Sequence, residues 1–521
     1  MSEVEQETTA SRYEDLEVYR QPFLDRARDC SALTIPSLIP PLDFATNGEL
    51  PQPYQSMGAR GVNNLAAKLL LALLPPAASF FKLSLTEKFR QQLQQAELSA
   101  ADLALSKMEQ SVLREIEVRN YRANTFEAFK HLIVGGNVLI HQDDDGPLRF
   151  FPLSQYVTKR DKAGNILEII LKEVIDVDQL PDKVRERIEQ RLKEEKPDDP
   201  ETDVEVYTHI RHTDDEKKWE VCQEILGEEI EETRGTYPLD KNPWRPLRWS
   251  VVSGEDYGRG HCEEYYADLS SLDALEHNLL DAAAVCARGL WLVNPNSGIN
   301  TQELVEQPNW GFVDGTQEDI IALQANKFAD LKVVSDEINR LESRLQYAFL
   351  LHSAVQRDAE RVTAEEIRFV ASELENTLGG VYSVMSSEFQ LPLVTMLLAQ
   401  MQKGGKLPML PKNSIEPIVV AGVDALGRSR QGMLLDQLLE SAVQIFGPQA
   451  LPYFSLSEWL SRKCASLGID PTNLVKSDQD VQAAQAQAQQ QQMMQKLGPS
   501  VIKGVADNVN QQQQVPQENE A

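Results

Sequence analysis

Two one-face apolar stripes, set about forty residues apart, constrain the fold of this chain most. Leu269, Leu272, Leu275, Leu279, Ala283, Cys286 and Leu290 recur every three or four residues within Glu263 to Leu290. Ser270, Asp273, His277, Asp281 and Arg288 fall on the opposite face. Leu331, Val334, Ile338, Leu341, Leu345 and Phe349 form the second stripe. Such spacing predicts two long amphipathic helices. Glu263 and Glu264 stand in the first turn of the first helix, where the helix dipole favours negative charge. A helix of this kind does not bury its stripe alone; it packs on its partner or on a copy in a neighbouring subunit. The segment between them, "WLVNPNSGINTQELVEQPNWGFVDGTQEDIIALQANKFAD", is rich in Asn, Pro and Gly. It carries Asn309, Trp310 and Phe312 with little core of its own, so the aromatics suit either partner docking or packing between subunits.

After the second stripe comes "AVQRDAERVTAEEIRFVASELENTLGGVYS", residues 354 to 383. It opens as a loop with Arg357 and Arg361, each close to Asp358, Glu360 or Glu365. Thr363 with Glu366 three residues on is a capping box, a helix-start signature. Ile367, Val370, Leu374, Leu378, Tyr382 and Met385 continue as one helix face. Gly379-Gly380 interrupts it; each glycine weakens a helix by roughly 1 kcal/mol relative to alanine, which predicts a kink. The helix passes Pro392 and stops at "QKGGKLP".

Upstream, the period is helical from Ser11 to Leu33, with Leu16, Tyr19, Phe23, Ala27 and Cys30 on one face. Helices are also expected over 58 to 75, over 103 to 118 and from about Thr125. Near Asn137 the period changes to strand, with turns at Asp144-Asp145-Gly146 and Ala163-Gly164-Asn165. A charged helix follows from Pro181 to Lys196, then a hairpin over "DVEVYTHIR" and "KKWEVCQEIL". The expected class is α+β, mainly helical. Residues 426 to 469 read as a helical module with a capping box at Ser455 and Glu458. The Gln- and Asn-rich tail from Lys476 lacks the apolar surface that offsets ordering entropy.

At 521 residues the chain is long enough for about three domains. Its net charge of −29 argues against coating nucleic acid with a broad basic face, though not against letting DNA pass. Five scattered cysteines without metal-ligand spacing fit a reduced cytoplasm. The acidic N-terminus is no signal peptide. The apolar run Ala66 to Ala78 holds Lys68, ends in prolines and falls short of the ~20 residues of a membrane span, so it reads as a buried helix. No phosphate-binding loop and no H-E-x-x-H motif occur. His261-Cys262-Glu263-Glu264 reads as a capping and surface arrangement rather than a metal site, and Asp143 to Asp145 as a solvated turn. No catalytic residue, metal or cofactor is expected.

The stretch from Ala354 to Ser383 closely resembles the tunnel loop and kinked helix of the portal (head-to-tail connector) proteins of short-tailed, autographivirus-type phages. The resemblance extends in consistent order through "LTIPSLIP", "GARGVNNLAAKLLLALLP", "YRANTFEAFKHLIVGGNVLI", "QYVTKRDKAGNIL", "VYTHI", "EDYGRGHCEEYYADLSSLDAL" and "LVNP". It spans roughly Ser11 to Leu474, weakens near Arg185 to Asp203 and fails in the Gln-rich tail. It implies a portal-type fold assembling as a ring, most often of twelve subunits, with a central channel. Residues 1–260 then correspond to the wing, 261–290 to the first stem helix and 291–330 to the clip. Residues 331–352 correspond to the second stem helix, 353–362 to the tunnel loop, 363–425 to the kinked helix with the rest of the wing, and 426–475 to the crown. The implied partners are double-stranded DNA, the terminase large subunit, major capsid and scaffolding proteins, a tail adaptor and internal core proteins, in a virion assembled in the host cytoplasm. Arg357 and Arg361 become DNA-contact candidates, with helix-entry ion pairing as the alternative. Glu263, Asp273, His277 and Asp281 become channel-lining candidates, and Asn309, Trp310 and Phe312 docking candidates. From Glu263 to Leu290 six acidic residues stand against one basic residue. Repeated round a ring, they would repel DNA only within about a Debye length, ~8 Å at physiological salt. The competing readings are an adaptor without a channel and a metal-dependent DNA-processing enzyme.

Overall fold

The first helix, α1 (Thr9–Ala32), buries Tyr13, Leu16, Arg20, Leu24, Ala27 and Cys30. It belongs to a computed structural model that describes residues 8–42, 48–76, 79–92, 95–195, 203–213, 218–287, 290–293, 320–323, 328–351, 364–408, 415–419, 427–447, 449, 453–456, 459–460 and 463–464. Tyr19, expected on the buried face, is 70% exposed, and its neighbour Arg20 is buried instead. The reason is local: Arg20 Nη1 donates to the carbonyls of Leu153, Ser154 and Tyr156 and to the Tyr13 hydroxyl. Those buried acceptors need donors, and a guanidinium supplies them from one position.

The chain divides into two compact units, one of residues 1–82 and 111–425, the other of residues 83–110 and 426–521. After α1 come α2 (Met57–Leu73), β1 (Phe81–Leu85), α3 (Glu87–Arg90), α4 (Gln95–Val118) and α5 (Tyr121–Gly135). The last two begin earlier than expected, at Gln95 and Tyr121. Asn120, at φ 53°, makes the left-handed turn between them, a conformation that Asn tolerates better than most side chains.

Strands β2 (Asn137–Gln142), β3 (Leu148–Pro152), β4 (Tyr156–Arg160) and β5 (Ile166–Asp176) follow. Helix α6 (Asp182–Glu195) precedes β6 (Asp203–Thr213), β7 (Lys218–Ile225), β8 (Glu228–Pro238) and β9 (Trp244–Arg248). These make two antiparallel sheets, β3-β2-β9 and the meander β4-β5-β6-β7-β8. Alternation along β5 serves two cores at once. Ile169 and Leu171 face a cluster with Leu139, Phe151, Tyr156, Trp219, Trp244 and Tyr257, whereas Ile170 packs with Tyr13, Leu16 and Tyr207 under α1. Helix α6 lays Val184 and Ile188 on Val204, Val206, Ile225 and Ile230. Asp143 to Asp145 is the exposed turn expected.

Two sequence pieces more than a hundred residues apart interlock at the end of α5. Asn137 Nδ2 donates to the Gly258 carbonyl (2.7 Å), and the Gly258 N–H donates back to Asn137 Oδ1 (2.7 Å). Gly136 sits at φ +73°, and a Cβ there would lie 2.4 Å from the Arg259 backbone.

The first striped segment is not one helix. It opens with the short α7 (His261–Glu264) and, after Tyr265 at φ −110° and ψ 13°, continues as α8 (Tyr266–Ala287). Leu290 instead starts β10 (Leu290–Val293), which pairs antiparallel with β11 (Ile320–Leu323). The second stripe is α9 (Phe328–Ala348), with Ile338, Leu341, Leu345 and Phe349 buried. The kinked helix is α10 (Ala364–Met385): Leu378, just before the glycine pair, leaves helical geometry at φ −121° and ψ 26°. A π turn, Ser386–Gln390, then feeds α11 (Leu391–Lys403) with Pro392 in its first turn. A proline removes the i→i−4 bond and crowds that carbonyl, and the wider turn just before it absorbs both effects. Strand β12 (Ile415–Val419) closes this unit. In the second unit, α12 (Gly427–Phe446) receives Trp459 Nε1 on the Leu435 carbonyl and pairs Asp436 with Lys463. No described helix is long and apolar enough to cross a membrane.

Candidate functional site

Helices α8 and α9 pack on each other. Near α7 the pairing is deep: Leu269, Leu272, Leu345 and Phe349 are fully buried. Arg344 closes that end with an ion pair to Asp268 (2.9 Å). Away from it burial fades, leaving Leu280 and Val333 exposed. A surface hollow of about 660 Å³ lies between the helices, lined by Tyr265, Asp268, Arg340, Arg344 and Tyr347.

The four channel-lining candidates sit in different surroundings. Glu263 pairs with Arg259 (3.0 Å) and Arg26 (3.3 Å). Asp273 accepts the backbone N–H groups of Tyr54 (2.7 Å) and Gln55 (3.2 Å), fixing the entry to α2. His277 stacks on the Tyr54 ring at 4.0 Å and pairs with Asp281 (3.5 Å). Asp281 is the most exposed of the four. Glu276, close by, has its carboxyl raised by partial burial and by the charges of Glu342 and Asp273, so negative charge does concentrate on this hairpin.

His261 and Cys262 correct the expectation of a capping and surface arrangement: both are buried. His261 lies against Trp249, Tyr265 and Phe349. Burial lowers its pKa, and its Nε2 faces the Ala348 carbonyl at 3.0 Å, so the ring is neutral with its proton on Nε2. Cys30, Cys222, Cys262 and Cys464 are free thiols. Asp144 of the acidic triplet bonds Lys403 and Gln400.

Sequence reasoning missed the junction of α2, α9 and α10. Lys68, the one charge in the apolar run, is 5% exposed. Its Nζ donates to the Leu350 carbonyl (2.6 Å) and to Glu373 Oε2 (3.0 Å). A lysine embedded among leucines on a helix is the signal that marks such a site, because a buried ammonium needs acceptors. Arg357, Arg361, Asn309, Trp310 and Phe312, together with the Thr363 and Glu366 side chains, lie outside the described residues.

The family model described as bacteriophage head to tail connecting protein matches residues 6–475. The chain belongs to that family. The chain is 39% identical over 481 residues to the portal protein of Enterobacteria phage T3, covering 91% of this chain and 89% of that one. It is 37% identical over 503 residues to the portal protein of Escherichia phage T7, covering 95% and 93%. The portal protein of Enterobacteria phage SP6 is 30% identical over 503 residues. Among solved structures, a chain of the virion of a native gene transfer agent particle aligns over 80% of this chain and 90% of its own. The TM-score is 0.38 at 13% identity, too loose to compare parts. The mixed α+β architecture and the connector reading are both borne out, and the adaptor and enzyme alternatives are not favoured.

Proposed function

We propose that this chain forms a ring, of twelve copies as the resemblance implies, at one capsid vertex, and serves as the conduit for genome packaging and ejection. Its role is structural rather than catalytic. The observation that carries the reading is the match along nearly the whole chain to portal proteins of short-tailed phages. The α8–α9 hairpin supports it. Leu280 and Val333, and the hollow at the other end of the hairpin, are exposed in the single chain, and a neighbouring copy would cover them. The acidic face that includes Asp281, with Asp273 and His277 along α8 and Glu263 in α7 before it, would give the channel a wall that DNA does not adhere to.

In this reading residues 291–330 dock the terminase large subunit and later the tail adaptor, with Asn309, Trp310 and Phe312 as anchors. Residues 353–362 face the DNA, where Arg357 and Arg361 touch phosphates. Major capsid and scaffolding proteins meet the wing, internal core proteins meet the crown, and assembly takes place in the host cytoplasm. Heads assembled without this chain are expected to stay empty and tailless, and complementation with the intact chain to restore both properties; filled heads without it contradict the proposal. Charge reversal at Arg357 and Arg361 is expected to impair DNA retention while rings still form, and unchanged retention removes the phosphate role.

A further inference from the structure

The carbonyls at and just past the end of α9, those of Ala348, Phe349 and Leu350, are met by side chains. His261 Nε2 serves the Ala348 carbonyl (3.0 Å), and Asn64 Nδ2 serves those of Phe349 (2.9 Å) and Leu350 (3.1 Å). Lys68 Nζ adds the shortest bond, to the Leu350 carbonyl at 2.6 Å. The backbone closes with Leu350 N–H on the Tyr347 carbonyl and Leu351 N–H on the Gln346 carbonyl. That is the Schellman pattern, whose left-handed position is usually glycine. Here it is Leu350, at φ +55°. The Phe349 ring also fills the space over Gly61, where a Cβ would lie 2.5 Å from it.

No helix breaker marks the stop itself. From Leu350 to Leu378 there is neither glycine nor proline, and the residues just beyond include Ala354, Gln356, Ala359 and Glu360, all good helix formers. A side chain held in the left-handed region persists only where its surroundings over-determine it. The surroundings are Asn64 and Lys68 of α2, and Lys68 is held in turn by Glu373 of α10 at 3.0 Å.

We propose that Lys68 is a positioning residue that terminates α9: by holding the Leu350 carbonyl it keeps Leu350 left-handed, and through Glu373 it ties that terminus to α10. Without the clasp, Leu350 relaxes to ordinary helical angles and α9 runs on. The proposal stands on the single chain; only its consequence, that the proposed tunnel loop leaves the hairpin at a fixed point, rests on the conduit reading.

The test is the cryo-electron microscopy structure of the full chain carrying Lys68→Met, beside the unsubstituted chain. The expected result is a negative φ at Leu350 and an α9 longer by about one turn, roughly four residues. Adding Leu350→Gly to Lys68→Met is expected to restore the stop at Ala348, because glycine takes the left-handed position unaided. A Leu350 that stays left-handed in Lys68→Met overturns the proposal. Should Lys68→Met alone fail to fold, recovery of folding on adding Leu350→Gly supports it and failure of the double variant overturns it. Ring formation and DNA passage are not read in this test, so its failure leaves the conduit reading standing.

Discussion

Position 136 needs glycine twice over. Its φ of +73° strains any other side chain, and a Cβ would press on the Arg259 backbone at 2.4 Å, where nothing flexible can give way. Gly136→Ala is therefore expected to cost about 3 kcal/mol, from left-handed strain plus overpacking, read as a lowered denaturation midpoint with unchanged slope. Glu168 offers a pH-dependent test. Burial pushes its carboxyl up, but hydrogen bonds from His209 (2.8 Å) and Arg12 (2.9 Å), with the Arg12 charge, outweigh that and hold it at about 2. The unfolded value is about 4.3. The folded value is the lower one, so the contribution is full above the unfolded value and fades as pH falls from there toward 2. Glu168→Gln is expected to melt below the unsubstituted chain at neutral pH, with the gap narrowing as pH drops below about 4.3. A gap independent of pH contradicts this account.

Among the elements, the kinked helix is where sequence and structure agree best. Gly379-Gly380 pointed to a bend, and the backbone departs from helical angles at Leu378. Among the described residues nothing lies within 4 Å of where a Cβ would stand on either glycine, so close packing by them is not what requires the pair. Replacing both with alanine is expected to stabilise the folded chain by about 1–2 kcal/mol through helix propensity alone, while straightening α10. Thermal melts together with DNA retention in assembled heads read the two effects; a destabilised double variant means that the bend is imposed by tertiary packing. The α8–α9 hairpin was legible for the same reason, since apolar spacing carries the burial. What stayed hidden was polar. Nothing in the spacing predicts that Arg20 rather than Tyr19 is buried, that His261 and Cys262 are interior, or that α9 stops at Ala348. Arg20 meets carbonyls of a distant segment, at Leu153, Ser154 and Tyr156, His261 meets that of Ala348, and the carbonyls just past α9 meet Asn64 and Lys68; a linear pattern does not register such pairings.

For the whole molecule, the net charge of −29 and the exposed ends of the α8–α9 hairpin belong to one account. A lone acidic chain gains solubility from its charge. A ring of such chains gains, in addition, a wall that DNA does not adhere to, provided neighbouring copies cover Leu280 and Val333. The family match along residues 6–475 brings that arrangement to this chain as a proposal. Direct imaging of the purified full-length chain by electron microscopy is the most telling measurement. The account predicts closed rings of one stoichiometry with an axial hole wide enough for duplex DNA; particles that are compact monomers, or closed assemblies without a hole, contradict it.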